Sequence, residues 1–149
     1  MSRSQSVPSA PHSSAEAAEA AFYEALQAGD VEAVMRVWAD DDEPVCVHPG
    51  GPRLVGAAAI RASYEQLLGG GALAVAAERV LRTVTMGCAV HNVVERVRLP
   101  AGSGAAFGCV LATNVYLRTP QGWRLVLHHA SPGTIEEAGE LLAQSERLH

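Results

Sequence analysis

The sequence contains no lysine. Its 11 basic residues are all arginines, scattered singly along the chain against 16 Asp and Glu, for a net charge of -5. Phosphate binding needs clustered cations, so this pattern excludes the electrostatic footprint of a nucleic-acid binder. No apolar run approaches the ~20 residues that span a bilayer, and no membrane partner is expected. The opening MSRSQSVPSAPHSS lacks the apolar segment of a secretory signal. Cysteine is scarce and odd in number: Cys46, Cys88 and Cys109 stand far apart with no CxxC. Their apolar, strand-like surroundings read as buried free thiols of a reducing, cytoplasmic protein. No HExxH or comparable spacing would bind a metal, so a site built from His48, His129 and a carboxylate has no motif behind it. Neither a metal nor a cofactor is expected. Aromatic residues are only 5%, which leaves Ala, Val and Leu to fill most of the core.

What remains is the composition of one globular domain. The 149 residues are 48% apolar and 18% charged. A chain this long buries roughly two-thirds of its unfolded surface, enough for a core without metal or disulfide staples. The Ser- and Pro-rich residues 1–12, His12 included, read as a flexible tail, and 13–149 as the single domain.

Ser13-Ser14-Ala15-Glu16 forms a capping box in which Ser13 caps and Glu16 reaches back. Ala18, Phe22 and Leu26 then recur at helical spacing until Gly29, and Asp30 caps a short second helix carrying Val31, Val34, Met35 and Trp38. Val45 to His48 is a short strand, the Pro49-Gly50-Gly51-Pro52 turn follows, and Arg53 to Val55 returns beside it. A third helix carries Ile60, Tyr64, Leu67 and Leu68. Four strand-like stretches follow, at about 73–85, 88–98, 105–118 and 122–131, joined by short Gly- and Pro-containing turns that imply hairpins. Thr134-Ile135-Glu136-Glu137 is a second capping box and predicts a C-terminal helix ending near Arg147. Helices first and long strands after imply an α+β fold: a cone-shaped roll, its N-terminal helices packed in the concave face of a curved antiparallel sheet.

Strand alternation sorts the candidate site residues. In the last strand Trp123, Leu125, Leu127, His129 and Ser131 share one face, and Arg124, Val126, His128 and Ala130 the other. The leucines and Trp123 place His129 toward the pocket, as an acid/base group or as a core imidazole bonded to backbone. His128 goes to the surface or an interface, since both histidines point inward only if the strand bulges. His48 closes a strand before a double-Gly turn, where an imidazole titrating near 6.5 suits proton transfer or simply braces the turn. Asn92 and Asn114 interrupt apolar strands, and a buried amide needs partners; either orients a ligand carbonyl or faces solvent. His91 and Glu95 are placed as outer-face charges at a dimer contact. Tyr23, Trp38 and Tyr64 line core and pocket together, and Arg61 is either an anion clamp at the mouth or a surface ion pair.

The segments VCVHPGGPRLVG, IRASYEQL and ATNVYLRTPQGWRLVLHHASP resemble a SnoaL-like member of the nuclear transport factor 2-like superfamily, over roughly residues 15–132. The closing strand is also similar to the association domain of calmodulin-dependent kinase II, with Trp123, His129 and Ser131 at the matching positions. The resemblance implies a cone with one cavity. It also implies a range of activities, from isomerases, dehydratases, polyketide cyclases and epoxide hydrolases to pure binding or oligomerisation modules. Its catalytic members use a carboxylate base or an Asp-His pair deep in the cone. No such pair maps onto this sequence: Asp40 to Glu43 form a loop-like run, and Glu95 is the only carboxylate within the middle strands.

The expectation is therefore a protein that binds a small, largely apolar organic molecule and carries out proton-transfer chemistry of the isomerase, cyclase or dehydratase kind. His48 and His129 would be its acid/base groups. Tyr23, Trp38, Arg61, Tyr64, Asn92, Asn114, Trp123 and Ser131 would contact the ligand. A homodimer would form through the outer sheet face. The alternative is a non-catalytic oligomerisation or association module.

Overall fold

The computed structural model describes residues 12–99, 102–104 and 106–147. The tail assigned to residues 1–12 thus lies outside the described residues apart from His12, whose carbonyl oxygen accepts from the Trp123 N–H at 2.9 Å. The elements run α1 (Ala15–Ala28), α2 (Val31–Val37), β1 (Val45–Val47), β2 (Arg53–Val55), α3 (Ala57–Leu67), β3 (Val75–Val84), β4 (Cys88–Arg98), β5 (Phe107–Thr119), β6 (Gly122–Pro132) and α4 (Ile135–Arg147).

Helix α1 begins one residue later than the capping pattern suggests. Ser14, not Ser13, is extended at the cap, and its Oγ accepts from the Ala17 N–H at 3.0 Å. Ser14→Ala is expected to cost about 1 kcal/mol by leaving that donor unpaired, and Ser13→Ala close to nothing; chemical denaturation of the two variants checks this. Gly29 ends the helix with φ +69, and a Cβ there would lie 3.0 Å from the Ala72 nitrogen, so both conformation and space require glycine. Asp30 then caps α2 through the Ala33 N–H. Thr134 and Glu137 form the reciprocal box that starts α4.

The six strands form one sheet in the order β2-β1-β6-β5-β4-β3. Four neighbouring pairs are antiparallel, but β1 runs parallel to β6, so the sheet is mixed rather than wholly antiparallel. The first three helices and the concave sheet face share a core that includes Phe22, Tyr23, Val34, Trp38, Ile60, Tyr64, Val93, Tyr116 and Leu125. The outer face is partly covered by α4, whose Leu141 is buried.

Two bulges decide which residues face inward. In β6, Leu125 opposes Tyr116 and Leu127 opposes Val115, so Val126 is an extra residue without a partner. The alternation of β6 therefore inverts after Leu125: Trp123 and Leu125 point in before the bulge, His128 and Ala130 after it. In β3 two residues, Arg79 and Val80, sit between the pairs Glu78–Val94 and Leu81–Asn92, and Arg79 adopts φ +50.

Candidate active site

A row of polar residues crosses the concave face in register. Arg82 on β3 pairs with His91 on β4, His91 with Asn114 on β5, Asn114 with His128 on β6, and His128 with Cys46 on β1. His91 and Asn114 are fully buried and His128 nearly so. Helix α1 crosses above this row and lowers Glu19 and Tyr23, one turn apart, onto it. The sequence produces this because both lie on the buried stripe with Ala15, Ala18, Phe22 and Leu26.

Tyr23 joins the row to Glu95. Its hydroxyl donates to Glu95 Oε2 at 2.7 Å and accepts from Asn114 Nδ2 at 3.0 Å, and Asn114 Oδ1 accepts from His128 Nδ1 at 2.6 Å. An amide oxygen only accepts, so His128 carries its proton on Nδ1. The donors then point one way, His128 to Asn114 to Tyr23 to Glu95, and leave His128 Nε2 as the basic nitrogen. Burial raises the Glu95 carboxyl to about 7, against the Tyr23 hydrogen bond that lowers it. Burial lowers His128 to about 3, helped by the neighbouring His48 and His129. The imidazole is neutral and the carboxyl is poised to gain or lose a proton near neutral pH.

His48 stands at the β1 end of the row, half-buried. Its Nε2 is 3.0 Å from Ser63 Oγ and 3.6 Å from Cys46 Sγ, and its ring meets Tyr64 edge-on at 5.1 Å and lies 6.4 Å from the His128 ring. Ser63 already donates to the Ile60 carbonyl, which leaves its oxygen as an acceptor and His48 Nε2 as the donor. Burial lowers the His48 pKa. At the other end a second carboxylate–imidazole pair sits between helix and sheet. His91 Nδ1 lies 3.0 Å from Glu19 Oε2, and Arg82 donates to Glu19 Oε1 at 2.7 Å.

Several expected positions change. The β6 bulge turns His129 and Ser131 to the exposed outer face and brings His128 inside, the reverse of the assignment from simple alternation. On β4, Asn92 faces outward, where it reaches Thr113 Oγ1 at 3.4 Å, while His91 and Glu95 face the interior instead of forming outer charges. Arg61 is a surface group in a bidentate ion pair with Glu32, at 2.6 and 3.1 Å. It helps line an open groove of about 930 Å³ between α2, α3 and the β5–β6 turn, outside the cone. Tyr23, Trp38, Tyr64, Asn114 and Trp123 are all buried. Among the described residues no group of three His, Cys, Asp or Glu is placed to hold a metal ion, and no helix is long and apolar enough to cross a membrane.

Sequence reasoning did not name Glu19, and it set His91, Glu95 and His128 outside the site. Glu19 carried a usable signal: a carboxylate on the same helical face as Ala15, Phe22 and Leu26 must find a partner indoors.

A helix-filled conical sheet with a polar row across its hollow defines the NTF2-like, cystatin-like class of α+β proteins. Within that class the sequence matches the SnoaL-like domain over residues 15–135, and the chain belongs to that family. It is 37% identical to a Thiobacillus denitrificans structure described as a candidate calcium/calmodulin-dependent protein kinase type II association domain; the match covers 83% of this chain and 98% of that one, with a TM-score of 0.74. It is 35% identical to a candidate dehydratase of the NTF2-like family from Streptomyces avermitilis, over 78% of this chain and 91% of that one, with a TM-score of 0.69. A cystatin-like protein of unknown function from Nostoc punctiforme shares the fold at 16% identity, over 79% and 87% of the two chains, with a TM-score of 0.65. No curated protein matches the sequence.

Proposed function

We propose that the chain binds a small, largely apolar organic molecule within the cone and moves a proton on it. The observation that carries this reading is the one-way relay from His128 through Asn114 and Tyr23 to Glu95. A core needs no such chain for stability, because an apolar replacement of matching shape is often as stable. A fixed tautomer with a free Nε2, linked through Asn114 and Tyr23 to a carboxyl titrating near neutrality, is what general acid–base catalysis needs. In this reading His128 is the base, replacing the His129 expected from alternation. His48 lies 6.4 Å from His128, ring to ring, with its Nε2 proton held by Ser63, and Tyr64, Trp38 and Phe22 provide the apolar walls. Asn92, His129, Ser131 and Arg61 have no part in it. The similarity to a candidate dehydratase supports the class of chemistry.

A second reading, an association module, is favoured by the outer sheet face and by the similarity to a candidate kinase association domain. Leu81, Val90 and Leu117 are exposed there. Such a face suits a homodimer packed sheet to sheet. Three free cysteines fit a cytoplasmic location.

Native mass spectrometry of protein purified from its own host separates the two readings. The proton-transfer reading expects one small molecule retained per subunit, lost in His128→Gln while the subunit count stays the same. An empty multi-subunit ring, unchanged by His128→Gln, would establish the association reading in its place.

A further inference from the structure

Two buried polar atoms near one end of the row have no partner in the chain among the described residues: His91 Nε2 and the Tyr116 hydroxyl. Both residues are fully buried, on neighbouring strands, with ring centroids 4.9 Å apart at a tilt of 52°. Tyr116 pairs with Ala89 across the β4–β5 ladder and so sits diagonal to His91 on the concave face. Buried polar atoms are nearly always satisfied, and two left open on neighbouring rings call for a third group. The relay supplies at most part of it: Asn114 reaches toward the Tyr116 hydroxyl and lowers its pKa, which leaves the hydroxyl proton and His91 Nε2 unmet.

The chemistry of the pair defines that group. Arg82 sits on one oxygen of Glu19 and His91 on the other. A carboxylate only accepts, so His91 carries a proton on Nδ1 toward Glu19, and in that Nδ1–H tautomer Nε2 is an acceptor. The Tyr116 hydroxyl donates, and burial together with Glu19 and Glu95 raises its pKa further above the usual tyrosine range. An acceptor beside a donor complements a hydroxyl group, which donates to Nε2 and accepts from Tyr116. A carbonyl would leave Nε2 unpaired, and a carboxylate would face the negative charges of Glu19 and Glu95.

We propose that His91 Nε2 and Tyr116 form a second polar position within the cone that takes the hydroxyl of an alcohol or phenol. Glu19 and Arg82 act as positioning residues that fix the His91 tautomer. The inference rests on the reading of the cone as a ligand site and adds the substrate class: a hydroxyl-bearing molecule whose other polar end meets His128. Asn114 lies between the two histidines, each one strand away, so their backbones are roughly 10 Å apart.

Phenol is the probe, with toluene as its match in size and shape, and imidazole nitrogen NMR on the labelled full chain is the readout. The expected result is the Nδ1–H tautomer at His91 and a saturable movement of its Nε2 resonance toward the hydrogen-bonded range with phenol and not with toluene. Tyr116→Phe is expected to weaken phenol about tenfold with the His91 tautomer retained. An Nε2 resonance already hydrogen-bonded and unmoved by phenol would show that a water fills the position and overturn the inference. So would equal effects of phenol and toluene, or an unchanged phenol affinity in Tyr116→Phe. If phenol moves His128 but not His91, the inference fails while the proposed function stands. If phenol moves neither, both fail.

Discussion

Replacing Glu95 with glutamine is expected to stabilise the fold by about 3 kcal/mol at pH 8 and by well under 1 kcal/mol at pH 4. Glu95 titrates near 7 in the folded chain against a model value of 4.5, because burial disfavours its charge. Raising a carboxyl in the folded state leaves stability intact below pH 4.5, where both states bind the proton. Stability then falls as pH rises from 4.5 to 7 and levels off above. Glutamine keeps an oxygen for the Tyr23 hydroxyl and removes the charge, so the pH-dependent loss disappears with it. Urea unfolding of both proteins at pH 4, 6 and 8 measures the difference. Equal stabilities at pH 8 would mean that burial does not raise the Glu95 carboxyl above its usual range.

His128 tilts the balance the other way. Its pKa is lowered from 6.5 to about 3, so its stability contribution is complete above pH 6.5 and is lost as pH falls toward 3. In the native chain the two slopes oppose each other between pH 4 and 7. The parent protein should therefore show a flatter profile than Glu95→Gln, which loses stability on acidification, or His128→Gln, which loses it on alkalinisation. A pair so costly to bury is hard to explain as scaffolding. Its partners, Tyr23 and Asn114, are themselves polar groups in a core otherwise dominated by apolar and aromatic side chains such as Phe22, Trp38 and Ile60. Stability given up at a buried acid and a buried base is what the proposed proton chemistry would require.

Periodicity and turn chemistry made most of the architecture readable in the sequence. The stripe Ala18, Phe22, Leu26, the Gly29–Asp30 junction, the short strand around Cys46 and the hairpin turns each appear where the spacing puts them. The parallel contact of β1 with β6 was not readable, since nothing in a three-residue strand states which neighbour it will take. The site was readable only as far as strict alternation holds. On β5 it holds, and Asn114 is inside. On β6 one unpaired residue, Val126, exchanges the roles of His128 and His129, and no turn residue marks the bulge. On β4 the mistake lay in choosing the face: a face bearing His91 and Glu95 looks polar, while the one with Val90, Asn92 and Val94 looks apolar. The polar face is the buried one, because α1 supplies Glu19 and Tyr23 to meet it. Those partners lie 72 residues away in sequence, beyond the reach of local pattern.

Asn114 is where that long-range pairing becomes testable as a unit. Asn114→Leu, close in volume, is expected to destabilise the protein by about 3 kcal/mol, or roughly 6–12 °C in Tm. The loss comes less from the two hydrogen bonds than from what they leave behind. His128 Nδ1 becomes a buried donor with no acceptor, and Tyr23 keeps Glu95 but loses the donor that fixes its orientation. His128→Phe removes the stranded donor and preserves the edge-on contact that the imidazole makes with Phe22 at 5.5 Å. The double variant should then be less destabilised than the two single losses combined, by about 1–2 kcal/mol of coupling. Strict additivity would mean that Asn114 and His128 are independent core residues that merely touch. Coupling of the expected size would show that His128 owes its tautomer to Asn114, and through it to a carboxyl on another strand and a tyrosine on a helix, so that the free Nε2 is a property of the whole interior and not of one histidine.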